Sequence, residues 1–315
     1  MIINILFLGG AKRVSVANHF INTAAEMGHQ VNIFSYELDK EVAIACVGTV
    51  IIGKKWKDED IILDLKTKIE KYNISIVLAF VDPAICVISE LKKICSNVFI
   101  PVSEPELCNI MFDKFLSAKW FEKHGISQPH FYVDYSVVNY PVILKPRQGS
   151  ASKGIIVCKS MEELPTDNLN TYLIQDFIED HTEFSVDCYV NQKGVVTSVV
   201  PRIRIETAGG EAVRSKTVKD KSLIELSERI LTSGNFRGPI TIQYIKDNTT
   251  GKIYVMEINP RLGGAVVASI GSGSGIIKMI LDEFLGNEVE PVTDWVDNTI
   301  MVRYFKEVIF YADSN

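Results

Sequence analysis

The chain has 315 residues, of which 47% are hydrophobic and 23% charged. At roughly 100–200 residues per domain this is a globular protein of two or three domains, and its core needs no disulfide or metal support. The net charge of −6 argues against a nucleic-acid or membrane-surface binder, because such proteins present a large basic face.

Strands and helices are expected to alternate over the first hundred residues. In chain order the pattern predicts a strand at 2–8, a helix at 14–27, strands at 30–35 and 50–52, a helix at 58–72, a strand at 74–80 and a helix at 83–95. Such alternation predicts a parallel sheet with helices on both faces, in a first domain spanning 1–103. The opening apolar run follows no basic segment, so it indicates a buried strand and not a signal peptide. No apolar stretch is long enough to cross a membrane, and the cytoplasm is the expected location.

Short strands dominate the second part, 104–315. After one helix at 106–124 the expected strands are 131–133, 142–145, 154–157, 172–176, 183–191 and 194–205. The segment 206–219, with its Gly pair, is expected to be a mobile substrate loop. A helix at 221–233, a hairpin of strands 239–246 and 252–259, a helix at 275–285 and a closing strand at 298–310 complete the prediction.

The segment YVMEINPR at 254–261 is the most informative. Side chains alternate along a strand, so Glu257 and Asn259 share one face while Met256 and Ile258 are expected to point into the core. A turn centred near Thr250 places Gln243 opposite Glu257. Three oxygen donors then converge, and oxygen donors are what Mg²⁺ prefers. The alternative is an edge strand with solvated polar residues.

Two further segments contain groups suited to a nucleotide. The strand PVILKP delivers Lys145 to a Gly/Ser-rich loop, GSASKG, whose backbone N–H groups can approach phosphate oxygens. The stretch QDFI is followed by EFSVD, in which Glu183, Ser185 and Asp187 share one face. A carboxylate at Glu183 suits ribose hydroxyls; the alternative is a half-buried strand with its polar face in water.

The ordered set Asp113-Lys114, PVILKP, GSASKG, QDFI, EFSVD, Gln243 and EINPR resembles the ATP-grasp superfamily. It is most similar to the ATP-binding halves of carbamoyl-phosphate synthetase large chains and to related carboxylate–amine ligases. The resemblance implies a parallel-sheet, Rossmann-like α/β domain that precedes an ATP-grasp fold. The ATP-grasp fold would have two α+β lobes, at about 125–180 and 181–315, clasping ATP.

The resemblance also implies roles for individual residues. Phosphate contacts would come from Lys114, Lys145 and the closing loop with Gly149, Ser150, Ser152 and Gly154. The adenine pocket would be lined by Gln175, Phe177 and Ile178, with Glu183 on the ribose. Gln243, Glu257 and Asn259 would hold two Mg²⁺ ions, with Mn²⁺ as an alternative metal, and Arg261 would face the γ-phosphate. Gly9-Gly10-Ala11 and Asp82-Pro83 would face the same cleft.

The substrate side contains several arginines. Arg204, Arg261 and Arg303 are candidates for clamping a substrate carboxylate, whereas Arg202 and Arg303 are equally well interpreted as solvated surface charges. Lys12 and Arg13 fit either an anion site or an exposed loop. Leu262-Gly263-Gly264-Ala265 follows Arg261 where carbamoyl-phosphate-synthetase-like chains have further polar contacts, which argues against bicarbonate or carbamate.

The leading hypothesis is a Mg·ATP-dependent ligase that phosphorylates a carboxylate and joins it to an amine, both small molecules. A homodimer or a separate amine-donating protein partner fits this hypothesis; nucleic acid and membrane do not. One alternative stops at phosphorylation of a small carboxylate or carbamate, and another is a nucleotide-binding regulator without turnover. A Rossmann oxidoreductase is disfavoured, because Ala11-Lys12-Arg13 follows Gly9-Gly10 where G-x-G-x-x-G would continue.

Overall fold

The computed structural model describes residues 1–149 and 153–311. They form one four-stranded parallel sheet and two antiparallel sheets of four and six strands. In the described part of the chain, no helix has the length and apolar composition needed to cross a bilayer.

The N-terminal parallel sheet has the strand order β3-β2-β1-β4. Its strands are β1 (Ile2–Leu8), β2 (Gln30–Glu37), β3 (Thr49–Ile52) and β4 (Ile76–Ala79), and its helices are α1 (Val14–Glu26), α2 (Ile61–Lys71) and α3 (Asp82–Ile94). Helices cover both faces, so β1 is apolar apart from Asn4. Ile5 and Phe7 pack toward α1, while Leu6 and Leu8 pack toward α2 and α3. The predicted parallel sheet is confirmed.

The helix predicted at 106–124 is two helices, α4 (Pro105–Phe112) and α5 (Lys114–Lys123). Asp113 separates them with an extended backbone, and its carboxylate accepts hydrogen bonds from the backbone N–H groups of Phe115 and Leu116. This N-cap stabilises the start of α5. Arg147 donates two hydrogen bonds to the same carboxylate, from Nε and Nη2. The prediction of a single helix was wrong. An Asp can lie inside a helix or cap its start, and here the contact with Arg147, 34 residues away, favours the cap.

The small antiparallel sheet has the strand order β5-β8-β6-β7. Its strands are β5 (Phe131–Tyr132), β6 (Val142–Pro146), β7 (Ile156–Cys158) and β8 (Tyr172–Asp176). Val142, Leu144 and Ile174 form its apolar core on one face. Lys145 alternates to the other face of β6, where it lines a cleft.

The large antiparallel sheet has the strand order β13-β12-β9-β10-β11-β14. Its strands are β9 (His181–Val190), β10 (Val196–Ala208), β11 (Glu211–Thr217), β12 (Gly238–Asp247), β13 (Ile253–Asn259) and β14 (Ile300–Val302); helices α6 (Lys221–Ser233), α7 (Val267–Gly271) and α8 (Ile276–Leu285) accompany them. Two expectations were wrong. Residues 211–217 are a strand between β10 and β14 and not a mobile loop, and the closing strand covers only Ile300–Val302 of the predicted 298–310.

One face of the large sheet packs on α6, through Phe184, Val186 and Cys188 of β9. The opposite face carries the polar residues that alternate with them. Helix α8 does not extend that core, because Ile276, Ile277 and Ile280 pack with Ile3, Ile5 and Phe7 of the parallel sheet. The C-terminal helix therefore links the parallel sheet to the rest of the chain through one continuous apolar cluster.

Candidate active site

A cleft of about 650 Å³ lies between the two antiparallel sheets. Strand β6 supplies one wall and the polar face of the large sheet the other, and Asp82 at the start of α3 also lines it. Many of the predicted site residues line it: Lys114, Lys145, Gly149, Phe177, Ile178, Glu183, Arg204, Gln243, Glu257 and Arg261. Gly9, Gly10 and Ala11 are not among its lining residues, whereas Arg13 from the same segment is.

A row of polar residues crosses the large sheet along the cleft. Glu257 on β13 pairs with Gln243 on β12, Gln243 pairs with Ser185 on β9, and Ser185 pairs with Arg202 on β10. Directly paired residues of an antiparallel sheet share a face, so all four point the same way. The predicted register between Gln243 and Glu257 is confirmed.

Met256 does not point into the core as predicted. Val255 pairs with Tyr244 and Glu257 pairs with Gln243, so Met256 is an extra residue in a β-bulge. Val255 and Ile258 both join the core, while Met256 and Glu257 both line the cleft. A prediction from strict alternation cannot anticipate an inserted residue.

Asn259 and Glu257 are hydrogen-bonded to each other at the β13 end of the row. Asn259 Nδ2 donates to Glu257 Oε1 at 2.8 Å, which occupies the amide nitrogen and leaves Asn259 Oδ1 and Glu257 Oε2 as acceptors. Gln243 adds a third side-chain oxygen opposite Glu257. This donor set of one carboxylate and two amide oxygens fits Mg²⁺ that is also bound by phosphate oxygens and water. Within the described ranges no cluster of three or more His, Cys, Asp or Glu side chains forms a metal site.

Lys145 is a buried cation that faces the same space. Lys145 is 7% exposed, and its Nζ donates a hydrogen bond to Gln175 Oε1 at 3.0 Å. Burial lowers the pKa of Lys145 to about 8, although the charge of Glu257 raises it in part. Gln175, predicted to line an adenine pocket, is itself buried beneath Lys145 and is absent from the cleft wall. The hydrogen bond that Gln175 Oε1 accepts from Lys145 orients the ammonium group of that lysine.

The loop after β6 is only partly described. Lys114, the first residue of α5, donates from Nζ to the carbonyl oxygen of Gly149 at 2.8 Å. Ser150 and Ser152 lie outside the described residues. Gly154 has a positive φ and its Cα faces the ring of Pro146; it is not part of the cleft wall.

The segment after β8 forms another part of the wall. Phe177 and Ile178 line the cleft, but the backbone N–H of Phe177 donates to Pro141 O at 3.1 Å and His181 Nδ1 lies 2.6 Å from Ile178 O. Glu183 forms an ion pair with Arg204, with Nε to Oε2 at 2.8 Å. A ribose contact of Glu183 would thus be coupled to the position of Arg204.

Every arginine in the cleft wall is paired with a carboxylate. Besides the Arg204 pair, Arg261 contacts Asp82 with Nε at 2.6 Å, Arg202 contacts Asp187 with Nε at 2.7 Å, and Arg13 contacts Glu211 with Nη2 at 2.6 Å. Arg303 contacts the same Glu211 at 2.9 Å. These pairs fix the guanidinium groups in place.

From the sequence, a solvated surface position remained an open alternative for Arg202. The structure buries this residue, which is 2% exposed. The sequence did indicate a cleft position for its partner Asp187, because the alternation of EFSVD places Asp187 on the same face as Glu183. No sequence pattern indicated a cleft position for Glu211, because this residue lay in the predicted loop at 206–219. For Lys12 and Arg13 the sequence left two interpretations open, an anion site or an exposed loop. Arg13 is not an exposed loop residue, because it is the buried member of an ion pair with Glu211.

The ATP-grasp domain family model matches residues 111–265. The C-terminal section of the carbamoyl phosphate synthase large chain of Methanopyrus kandleri is 25% identical over 236 residues, which cover 63% of this chain and 43% of that relative. This chain therefore aligns with less than half the length of that relative.

Solved structures match the whole fold. Biotin carboxylase from Campylobacter jejuni, solved as a β,γ-ATP complex, superposes with a TM-score of 0.76 at 18% identity, covering 94% of this chain and 74% of that one. The biotin carboxylase domain of Hydrogenobacter thermophilus 2-oxoglutarate carboxylase, solved with MgADP, ADP and bicarbonate, gives a TM-score of 0.76 at 16% identity, covering 94% and 73%. The predicted resemblance and fold class are confirmed.

Proposed function

We propose that the protein is a Mg·ATP-dependent ligase, because the ATP-grasp domain family model matches residues 111–265. It phosphorylates a small carboxylic acid to an acyl-phosphate and passes the acyl group to an amine. Lys114 and Lys145 contact the phosphates, Phe177 and Ile178 contact the adenine, and Glu183 contacts the ribose.

One observation carries this proposal: the buried ammonium group of Lys145. Within residues 1–149 and 153–311 it has no ion pair, and its protein acceptor is the neutral Gln175 Oε1. A buried charge without a direct ion pair is costly, and burial accordingly lowers the pKa of Lys145 to about 8 despite the more distant charge of Glu257. An anion bound in the cleft, such as a nucleotide phosphate, offsets that cost and raises the pKa of Lys145 again.

The metal would be held at the other side of the phosphates. Glu257 Oε2, Asn259 Oδ1 and Gln243 Oε1 are the side-chain oxygens that would bind Mg²⁺, in a pair of ions or with Mn²⁺ in its place. When bound, the metal neutralises phosphate charge that develops during transfer. Asn259 contributes by holding the carboxylate of Glu257 in one orientation.

Arg261 stabilises the transferring phosphoryl group and Arg204 helps to position the acid. Phosphoryl transfer depends mainly on positioning and charge stabilisation, and a donor fixed beforehand needs no reorganisation during the reaction. Asp82 fixes Arg261 through two contacts, from Nε at 2.6 Å and Nη2 at 2.5 Å. Because Asp82 belongs to α3, the N-terminal sheet domain contributes directly to the site.

The test is Mg·ATP-dependent release of ADP and phosphate across a panel of carboxylic acids, each with and without ammonia or amino acids. An acid–amine pair that stimulates release, with amide formation seen by mass spectrometry, supports the ligase. Release that needs the acid alone supports the phosphorylation alternative. Tight Mg·ADP binding with no stimulation by any pair contradicts both and supports the nucleotide-binding regulator.

A further inference from the structure

Arg202 has one guanidinium nitrogen without a hydrogen-bond acceptor in the described part of the chain. Nε and Nη2 donate to Asp187 at 2.7 and 3.4 Å. Nη1 is buried and has no hydrogen-bond partner among the described residues. Arg202 also lines the cleft, so a ligand bound there can supply the acceptor.

The guanidinium group is held rigidly by a buried network. Asp187 is 1% exposed and accepts from Thr241 Oγ1 at 3.0 Å and from Ser269 Oγ at 2.7 Å, in addition to Arg202. Four donors therefore fix this carboxylate. A fixed donor loses little conformational freedom when it binds a ligand, which favours affinity.

Two glycines that follow Arg261 make room at this end of the cleft. A Cβ atom on Gly263 would lie 2.7 Å from Thr241 Oγ1 and 2.8 Å from Asp187 Oδ1. A Cβ atom on Gly264 would lie 2.7 Å from the carboxylate carbon of Glu211. The absence of a Cβ atom at Gly263 and Gly264 thus lets Asp187 and Glu211 approach the backbone closely.

Arg204 and Arg261 in the cleft wall use their donors more fully. Arg204 donates to Glu183, Ser185 and Gly210 through its three nitrogens. Arg261 is held by Asp82 and donates to the carbonyl oxygen of Leu262. A buried charged donor left without an acceptor is destabilising, so Nη1 of Arg202, which lacks one among the described residues, is an unusual feature in a close-packed wall.

We infer that Nη1 of Arg202 binds a carboxylate oxygen of the small acid that the enzyme activates. This inference rests on the proposed function and adds a substrate contact to it. Arg202 stands three strands from Glu257 in the polar row, a separation of about 14 Å between Cα atoms at about 4.8 Å per strand. The row therefore has a metal and phosphate end at Glu257 and an acid end at Arg202.

The test uses Arg202→Lys, which keeps a cation beside Asp187 but lacks Nη1. Arg237→Lys is the matched control, because Arg237 lies outside the cleft wall and donates to backbone carbonyls. Bicarbonate, acetate and succinate are titrated by calorimetry into protein saturated with Mg·ADP. The expected result is saturable binding of at least one probe to the wild type, weakened about 10- to 100-fold in Arg202→Lys and unchanged in the control.

Gly263→Ala is the second variant, since it displaces Asp187 without removing any charge. It is expected to weaken binding of the same probe while Mg·ADP affinity stays at the wild-type value. Wild-type affinity for the probe in Arg202→Lys overturns the inference, and so does the absence of binding of all three probes to the wild type. If the wild-type protein does not bind Mg·ADP, the result contradicts the proposed function and not only this inference.

Discussion

Replacing the buried Lys145 should stabilise the ligand-free protein while destroying its phosphate site. The pKa of Lys145 falls from 10.5 to about 8 because burial disfavours the ammonium form. At roughly 1.4 kcal/mol per pH unit, that difference corresponds to about 3 kcal/mol of stability lost at neutral pH. Lys145→Met removes the charge and keeps much of the side-chain volume.

The single substitution also leaves Gln175 Oε1 without its donor, at a cost of about 1–3 kcal/mol. Its net effect is therefore a gain of roughly 0–2 kcal/mol. In Lys145→Met/Gln175→Met the orphaned acceptor is gone, and we expect the free energy of unfolding to rise by about 2–3 kcal/mol at pH 7.

The pH dependence has a definite sign. Between pH 8 and 10.5 the unfolded chain binds a proton at Lys145 that the folded chain does not, so wild-type stability rises with pH relative to the variant. The advantage of the double variant is thus largest below pH 8 and disappears above pH 10.5.

Urea unfolding at pH 7, 8, 9 and 10 measures these differences. Lys221→Met is the control, because the Lys221 side chain is 87% exposed and its loss should change little at any pH. Affinity for Mg·ADP, measured by calorimetry, should fall at least about tenfold in Lys145→Met and stay unchanged in the control. A double variant that is less stable than the wild type at pH 7, or whose advantage is equal at pH 7 and 10, refutes the reasoning.

Three further predictions concern the metal site, the Glu211 cluster and the cap of α5. Glu257→Gln should abolish acid-dependent ADP release with little change in melting temperature, and full activity in this variant would exclude the metal assignment. Burial would raise the pKa of Glu211, but Arg13 and Arg303 outweigh it and lower the pKa to about 2, so their stabilisation is present above pH 4.5 and is lost as pH falls toward 2. Because the Glu211 side chain is 36% exposed, Glu211→Gln should cost only about 1–2 kcal/mol at pH 6, and thermal melts of variant and wild type should converge at low pH; equal differences at pH 6 and pH 3 would contradict this. Asp113→Ala should be about 1 kcal/mol less stable in urea than Asp113→Asn, because Asn retains the N-cap; equal stabilities would mean that only the contact with Arg147 matters.

Local patterns were enough for much of the fold. Strand periodicity and turn position fixed the pairing of Gln243 with Glu257, and the alternation of EFSVD placed Glu183 and Ser185 on the cleft face. The helix at Lys221–Ser233 was predicted at its observed bounds. These features depend on neighbours in the chain or on a single tight turn, so the sequence contains the information that specifies them.

Strand β11 could not be predicted in the same way. Residues Glu211–Thr217 form a strand because β10 and β14 offer hydrogen-bonding edges on both sides. The extra residue at Met256 likewise depends on how β13 meets β12. Backbone pairing of this kind is decided by the partner strand, which the composition of the segment itself does not reveal.

The sequence by itself determined which residue types reach the cleft and in what order along the chain. Only the tertiary structure decided which charges meet there. Arg13 and Glu211 are 198 positions apart, and Asp82 and Arg261 are 179 apart. The same structure buries Arg202 against Asp187 and Lys145 against Gln175. Ionic interactions depend on distance and burial, and both arise only when separate elements pack together.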